Sequence, residues 1–158
     1  MKGHEMSQMT RMKHAQTIIG RLNHGADLLE ELTGICRQHD IRLGCIEAIG
    51  AVKKASIGFY DQQARAYAYL TLDKAMEITK LSGNVSVKDG QVFVHAHVTL
   101  ADDTGRAYGG HLAPGTIVFA CECIIEAFEG PALERVFDEE TGLALWGARE
   151  QGRSAGTE

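Results

Sequence analysis

No apolar run in the 158-residue chain approaches the roughly 18 residues that cross a bilayer as a helix, which excludes a membrane-spanning helix. There is no Cys-x-x-Cys pair. Cys36, Cys45, Cys121 and Cys123 stand at other spacings, so a thiolate metal site lacks its usual pattern. Small buried thiols in a reducing compartment are expected instead. Positive charge is not in excess either. The net charge of -5 argues against broad attraction to nucleic acid or anionic lipid. The two short basic runs, Arg11-Met12-Lys13-His14 and Lys53-Lys54, are read as a solvated end and a solvated turn. Met1 to Gln16 has no apolar h-region and carries Glu5, Arg11 and Lys13, so it does not read as a secretory signal and a cytoplasmic protein is expected. Internal repeats and linkers are missing too. Hydrophobic residues at 44% and charged residues at 23% describe an ordinary soluble domain, long enough for one core.

What is present is mostly strand. Residues 1–16 are polar and aperiodic and are expected to form a flexible N-terminal arm. Thr17 to Leu22 reads as a short strand. Asp27 opens a helix with Glu30 placed for a capping box. Leu28, Leu29, Leu32, Ile35 and Cys36 form its apolar stripe. Gly34 weakens that helix, which should stop near His39-Asp40. The period then changes. Strands are predicted at 45–52, 55–60, 64–72 and 76–87, the last bulged at Ser82-Gly83-Asn84. Lys88-Asp89-Gly90 is a hairpin turn. Further strands are predicted at 91–100, 106–112, 116–128 and 133–137, followed by a turn and closing segment to Trp146. Residues 147–158 read as a polar C-terminal tail. One helix followed by many close-set antiparallel strands predicts a single α+β domain, with a strongly curled, mostly antiparallel sheet and one main helix packed on it.

The histidines carry the chemistry. Alternation along the strand at 91–100 puts Phe93, His95, His97 and Thr99 on one face, and Val92, Val94, Ala96, Val98 and Leu100 on a core face. His95 and His97 are then separated by about 6.7 Å of strand, close enough to lean onto one ion. His111 returns across a turn, after Gly109 and Gly110, whose missing side chains leave room for backbone or ligand. Three neutral imidazoles with an open fourth position describe a catalytic or ligand-binding metal site more than a structural one. Zinc is the default ion for such a redox-silent set; nickel, copper and iron also take imidazole. Each ligand needs a partner on its second nitrogen. Glu122 is the candidate carboxylate and, in an enzyme, the candidate general base; the alternative is a buried acid paired with an arginine. His4, His14, His24 and His39 have no partner at ligand spacing. Tyr60, Tyr67 and Tyr69 read as ordinary packing on half-buried strands.

A series of motifs resembles the plants-and-prokaryotes conserved (PPC) domain family. They run from Gly50-Ala51-Val52 and Ile57-Gly58-Phe59-Tyr60-Asp61 through Glu77 to Ser86. Val94-His95-Ala96-His97, Gly109-Gly110-His111-Leu112 and the Glu122 strand follow, and Arg135 to Leu143 closes the set. The resemblance covers residues 17–146. It implies a compact α+β domain that assembles as a homotrimer and holds a metal on His95, His97 and His111. The implied fold is similar to that of acetolactate decarboxylase, a zinc lyase. Plant relatives couple this domain to an Arg-Gly-Arg hook that enters the DNA minor groove; this sequence contains no Arg-Gly-Arg.

Three functions compete. The first is a trimeric metal-binding protein, with zinc or another divalent transition metal, that recognises a small molecule in a regulatory role extending to DNA association. The second is a metal-dependent lyase or hydrolase acting on a small carbonyl or carboxylate substrate. The third is an oligomeric interaction module with structural histidines. Metal affinity is expected to fall below about pH 6, where imidazole protonates.

Overall fold

The computed structural model describes residues 9–147. Its elements are β1 (Lys13–Arg21), α1 (Leu28–Gln38), β2 (Gly44–Asp61), β3 (Ala66–Leu72), β4 (Met76–Lys88), β5 (Gln91–Ala101), β6 (Ala107–Leu112), β7 (Ile117–Glu129), β8 (Arg135–Asp138) and β9 (Leu143–Trp146). The helix starts where the sequence places it. Asp27 Oδ1 accepts the amides of Leu29 and Glu30 at 3.0 and 3.1 Å, an N-cap worth about 0.5–2 kcal/mol. Its other oxygen takes the Gly115 amide at 2.6 Å, tying the helix start to the loop before β7. The reciprocal bond expected of Glu30 is not formed. Glu31 reaches back instead, accepting from the backbone and side-chain nitrogens of Asn23 at 2.8 and 2.7 Å. His39 caps the far end, and Asp40 leaves the helix with a left-handed φ of 50°.

The main sheet runs β1-β7-β2-β4-β5-β6, with β3 added to β2. β2 is central because it is long. Its first half lies between β7 and β4, and its second half pairs with β3. At Ile57 and Gly58 it also pairs with Leu112 and His111 of β6. That last contact closes β2, β4, β5 and β6 on themselves, so the sheet curls as predicted. The sequence reads β2 as two pieces. It is continuous because register shifts near Gly50 against β4, and near Val52 against β7, absorb the bend without ending the pairing. Lys53 and Lys54 lie exposed in this bend rather than in a turn.

Two other expectations shift. β1 begins at Lys13, not Thr17, because Lys13 and His14 already pair with Glu129 and Phe128. Part of the expected arm is therefore sheet; residues 1–8 of that arm, and the expected tail beyond Gly147, lie outside the described residues. In β4, Ser82-Gly83-Asn84 pairs without interruption, and the irregularity falls between Ile78 and Lys80. Thr79, skipped in the register, donates its hydroxyl to the Thr99 carbonyl at 3.0 Å. The hairpin turn is as predicted. Asp89 and Gly90 both adopt positive φ, 50° and 73°, as a two-residue type I′ connection requires.

The core joins Leu28, Leu32 and Cys36 of α1 to Val94, Ala96, Val98 and Leu100 of β5, with Ile46, Leu81 and Ile125 from neighbouring strands. Each fully buried Leu or Ile contributes about 1.5–3 kcal/mol. Cys36, Cys121 and Cys123 are buried here, Cys45 is half-buried, and all four are free thiols. The β8–β9 hairpin is a separate two-stranded sheet hung on β4, through the Val87 amide bonded to the Leu133 carbonyl at 3.0 Å. Among the described residues no helix is long and apolar enough to cross a membrane.

Gly34 is exposed in mid-helix, and a Cβ there would meet nothing within 4 Å. Gly34→Ala is expected to stabilise the protein by up to about 1 kcal/mol, read as a higher urea midpoint at unchanged slope.

Candidate metal centre

The tight turn at Asp89-Gly90 fixes how β4 lies against β5. Lys88 pairs with Gln91, which sets Ser86 opposite Phe93, Asn84 opposite His95 and Ser82 opposite His97. β6 then lays His111 directly across from His97. His95 and His97 project from the face of β5 that points away from the core, and His111 projects beside them from β6. Their ring centroids lie 5.2 Å apart for His95–His97, 5.0 Å for His95–His111 and 5.6 Å for His97–His111. One nitrogen from each ring lies within 4.8 Å of the others. In a tetrahedral zinc site with bonds of about 2.1 Å the ligand nitrogens lie about 3.4 Å apart, so the three rings face one point and would close in by about an ångström to share an ion. Among the described residues this is the sole cluster of metal-ligating side chains, and no cysteine joins it.

The surroundings suit a metal held by neutral imidazole. His97 is exposed, while His95 and His111 are half-buried. Among the described residues His111 Nδ1 is buried without a hydrogen-bond partner, which costs about 1–3 kcal/mol if left unsatisfied. Burial lowers the His95 pKa to about 4, with the Arg135 charge and the other two histidines adding to the effect. Burial also lowers His111, helped by His97 and Arg135. His95 therefore stays neutral well below the pH of about 6 expected from the sequence, and His111 is shifted in the same direction.

Arg135 enters from β8. It is 8% exposed. Its Nε donates to Ser86 Oγ at 2.8 Å, one terminal nitrogen to the Ala144 carbonyl at 2.9 Å, and the other to Asn84 Oδ1 at 2.9 Å. That last nitrogen also lies 3.5 Å from His95 Nδ1. The guanidinium stacks over Phe93 and Trp146, at 5.1 and 5.9 Å from the ring centres. Beside it opens a cleft of about 520 Å³ that reaches His95 and His111.

Several assignments read from the sequence change here. Glu122 is exposed on β7, paired with Arg21 and Ile49, and lines no part of the cleft. β7 lies on the far side of β2 from β5, so within one chain the carboxylate stands away from the histidines and pairs with none of them. Gly109 and Gly110 do not line the cleft either. A Cβ on Gly110 would sit 2.7 Å from the Gly58 carbonyl oxygen, so the missing side chain serves the closure of β6 on β2. Tyr60, Tyr67 and Tyr69 do line the cleft, and the Tyr67 ring lies 4.9 Å from that of His111. They were expected to be simple packing because nothing in β3 alone says that the ribbon folds beside β6. His24 bonds the Phe119 carbonyl at 2.7 Å and His14 bonds Thr17 Oγ1 at 2.8 Å, both away from the cluster.

His95 has a folded pKa of about 4 against an ordinary 6.5. Between those values the unfolded chain binds a proton that the folded chain refuses, so stability falls as pH is lowered through that window. In metal-free protein, denaturation midpoints measured from pH 6.5 down to 4 are expected to decline less steeply for His95→Gln than for the native chain.

The chain matches known proteins in sequence and in fold. The family model for the Plants and Prokaryotes Conserved (PCC) domain matches residues 9–129. A solved metal-containing protein from Archaeoglobus fulgidus is 42% identical, with a TM-score of 0.86 over 90% of this chain and 100% of that one. A plant- and prokaryote-conserved protein from Pyrococcus horikoshii is 33% identical, with a TM-score of 0.85 over 91% of this chain and 99% of that one. A Bacteroides thetaiotaomicron protein, named as a proposed DNA-binding protein, is 26% identical at a TM-score of 0.78, over 86% of this chain and 96% of that one. Acetolactate decarboxylase from Bacillus subtilis is a remote neighbour, 12% identical at a TM-score of 0.49. A bifunctional protein GlmU from Synechococcus is 35% identical over 108 residues, 68% of this chain, and the chain spans only 16% of that relative's length. The chain belongs to the Plants and Prokaryotes Conserved domain family.

Proposed function

We propose that this protein is a metal-dependent small-ligand-binding regulator, with zinc on His95, His97 and His111 and its ligand in the adjoining cleft. One observation carries the reading: three imidazole nitrogens lie within 4.8 Å of one another, and one of the rings has a buried nitrogen without a partner among the described residues. The Archaeoglobus neighbour, named as metal-containing, supports it. Bound zinc would supply Lewis acidity and a bound water of lowered pKa at the mouth of the cleft. That chemistry keeps a second reading, a metal-dependent lyase or hydrolase, because three protein ligands leave a coordination position open. The chain's own residues contribute orientation: Asn84 and Ser86 hold Arg135, and the β6–β2 closure holds His111. With Glu122 on another face, no carboxylate among the described residues lines the cleft to act as base. DNA association, carried by the Bacteroides neighbour's name, finds less support, since the net charge is -5 and Lys13 and Lys80 are engaged by Glu129 and Glu47. A reducing, cytoplasmic setting fits the four free thiols.

The same reading includes a homotrimer. Ile19 and Ile124 face each other across β1 and β7 and remain 75% and 43% exposed. Ile49 beside them is 56% exposed, and Glu47, salt-bridged to Lys80, borders the patch. Such a sheet face is apolar enough to seek cover by further copies.

Elemental analysis of purified full-length protein is expected to find zinc. His97→Ala should keep the native circular dichroism spectrum and lose zinc affinity by more than the roughly 10–100-fold that loss of a supporting group costs. Equal metal content in both proteins would exclude histidine ligation. Light scattering is expected to give the mass of three chains for the native protein and a lower mass for Ile49→Arg; a native monomer would remove the trimer.

A further inference from the structure

We infer that the floor of the cleft is an anion site coupled to the metal, in which Arg135 takes the carboxylate of a small organic acid. The inference rests on the metal reading above and names the ligand class of that site. Among the described residues the charged side chains lining the cleft are Arg135, Lys88 and Arg65, with no aspartate or glutamate. Arg65 is held by the carbonyls of Glu139 and Glu140 at 3.0 and 3.1 Å. Arg135 is buried, and among the described residues its hydrogen-bond partners are neutral and no carboxylate lies within ion-pair distance. A buried guanidinium without a counter-charge is costly, and an incoming anion relieves that cost.

The hydrogen-bond count narrows the anion. A guanidinium has five N–H groups. Three are used, by Ser86, Ala144 and Asn84, and a fourth lies against His95 Nδ1 at 3.5 Å. Among the described residues one terminal nitrogen keeps an unpartnered N–H and the other only this long contact, so two oxygens of a carboxylate can accept from both once His95 Nδ1 no longer accepts. Tyr60, Tyr67, Phe93 and Leu143 wall the rest of the cleft, whose volume of about 520 Å³ fits an organic body rather than a bare inorganic ion.

The coupling follows from the distance to the metal centre. Arg135 stands 3.5 Å from His95 Nδ1, so its charge opposes a cation held by that ring. A metal-bound imidazole also wants an acceptor at its second nitrogen, and a guanidinium offers none. An anion placed against Arg135 cancels the repulsion. Metal and anion therefore bind with mutual reinforcement, and thermodynamic reciprocity requires the same factor in both directions.

Calorimetric titration of Zn2+ into the full metal-free chain, with and without saturating benzoate, tests this. Zinc affinity is expected to rise about tenfold with benzoate, and benzoate affinity by the same factor with zinc. Neutral benzamide, of the same shape, should leave zinc affinity unchanged. Arg135→Met, if circular dichroism shows it folded, should bind zinc alone more tightly than the native chain and lose the benzoate response. Lys88→Met, an exposed change, should weaken benzoate binding several-fold whatever the fate of the first variant. Zinc binding that ignores benzoate, or responds equally to benzamide, overturns the anion site and leaves the metal reading intact. Failure of the native chain to bind zinc overturns the metal reading and the coupling together. Benzoate titrated alone then decides the Arg135 site, which stands only if benzoate binds and Lys88→Met weakens it.

Discussion

One register holds the candidate centre together: His97 opposite His111. It is enforced from two directions. The two-residue turn at Asp89-Gly90 fixes β5 against β4, and the contact of β6 with Ile57 and Gly58 of β2 fixes the other side. A slip of one residue would carry every β5 side chain to the opposite face, placing imidazoles in the core and Val94, Ala96 and Val98 in water. The hydrophobic cost of that exchange is what keeps the three rings together. The centre is thus a by-product of core packing on the other face of the same strand, with α1 pressing on that core.

The second organising feature is electrostatic. Arg135 does not neutralise anything it touches. It is held by oxygen acceptors of Ser86, Asn84 and Ala144 and by the faces of two aromatic rings. It pins the β8–β9 hairpin to β4 while setting a positive charge next to rings that burial keeps neutral. Structural support and local potential are therefore carried by one side chain, and removing it alters both.

Much of this was legible from the chain. The α+β class, the helix at Asp27, the Asp-Gly turn and the three histidines all follow from local rules, because strand alternation and turn chemistry act within a few residues. The placement of Asn84 and Ser82 opposite His95 and His97 was also within reach, by counting back through that turn. Glu122 was misplaced because alternation within β7 says which residues share a face but not which strands neighbour it; β7 pairs with β1 and β2, not with β5. The roles of Arg135 and Tyr67 depend on segments far apart in sequence meeting across the closed sheet, and no local pattern encodes that. β2 was split in two because its bend looks like a terminus when its neighbours are unknown.

The thiols bear on how the protein meets oxidants. Burial pushes Cys36 and Cys121 up to about 12, and Cys123 is raised by the same cause. Nucleophilic sulfur requires the thiolate, so at neutral pH these side chains are chemically quiet while the sheet stays closed. Their reaction with a thiol reagent would report opening of the core itself, giving the fold an intrinsic gauge of its own breathing.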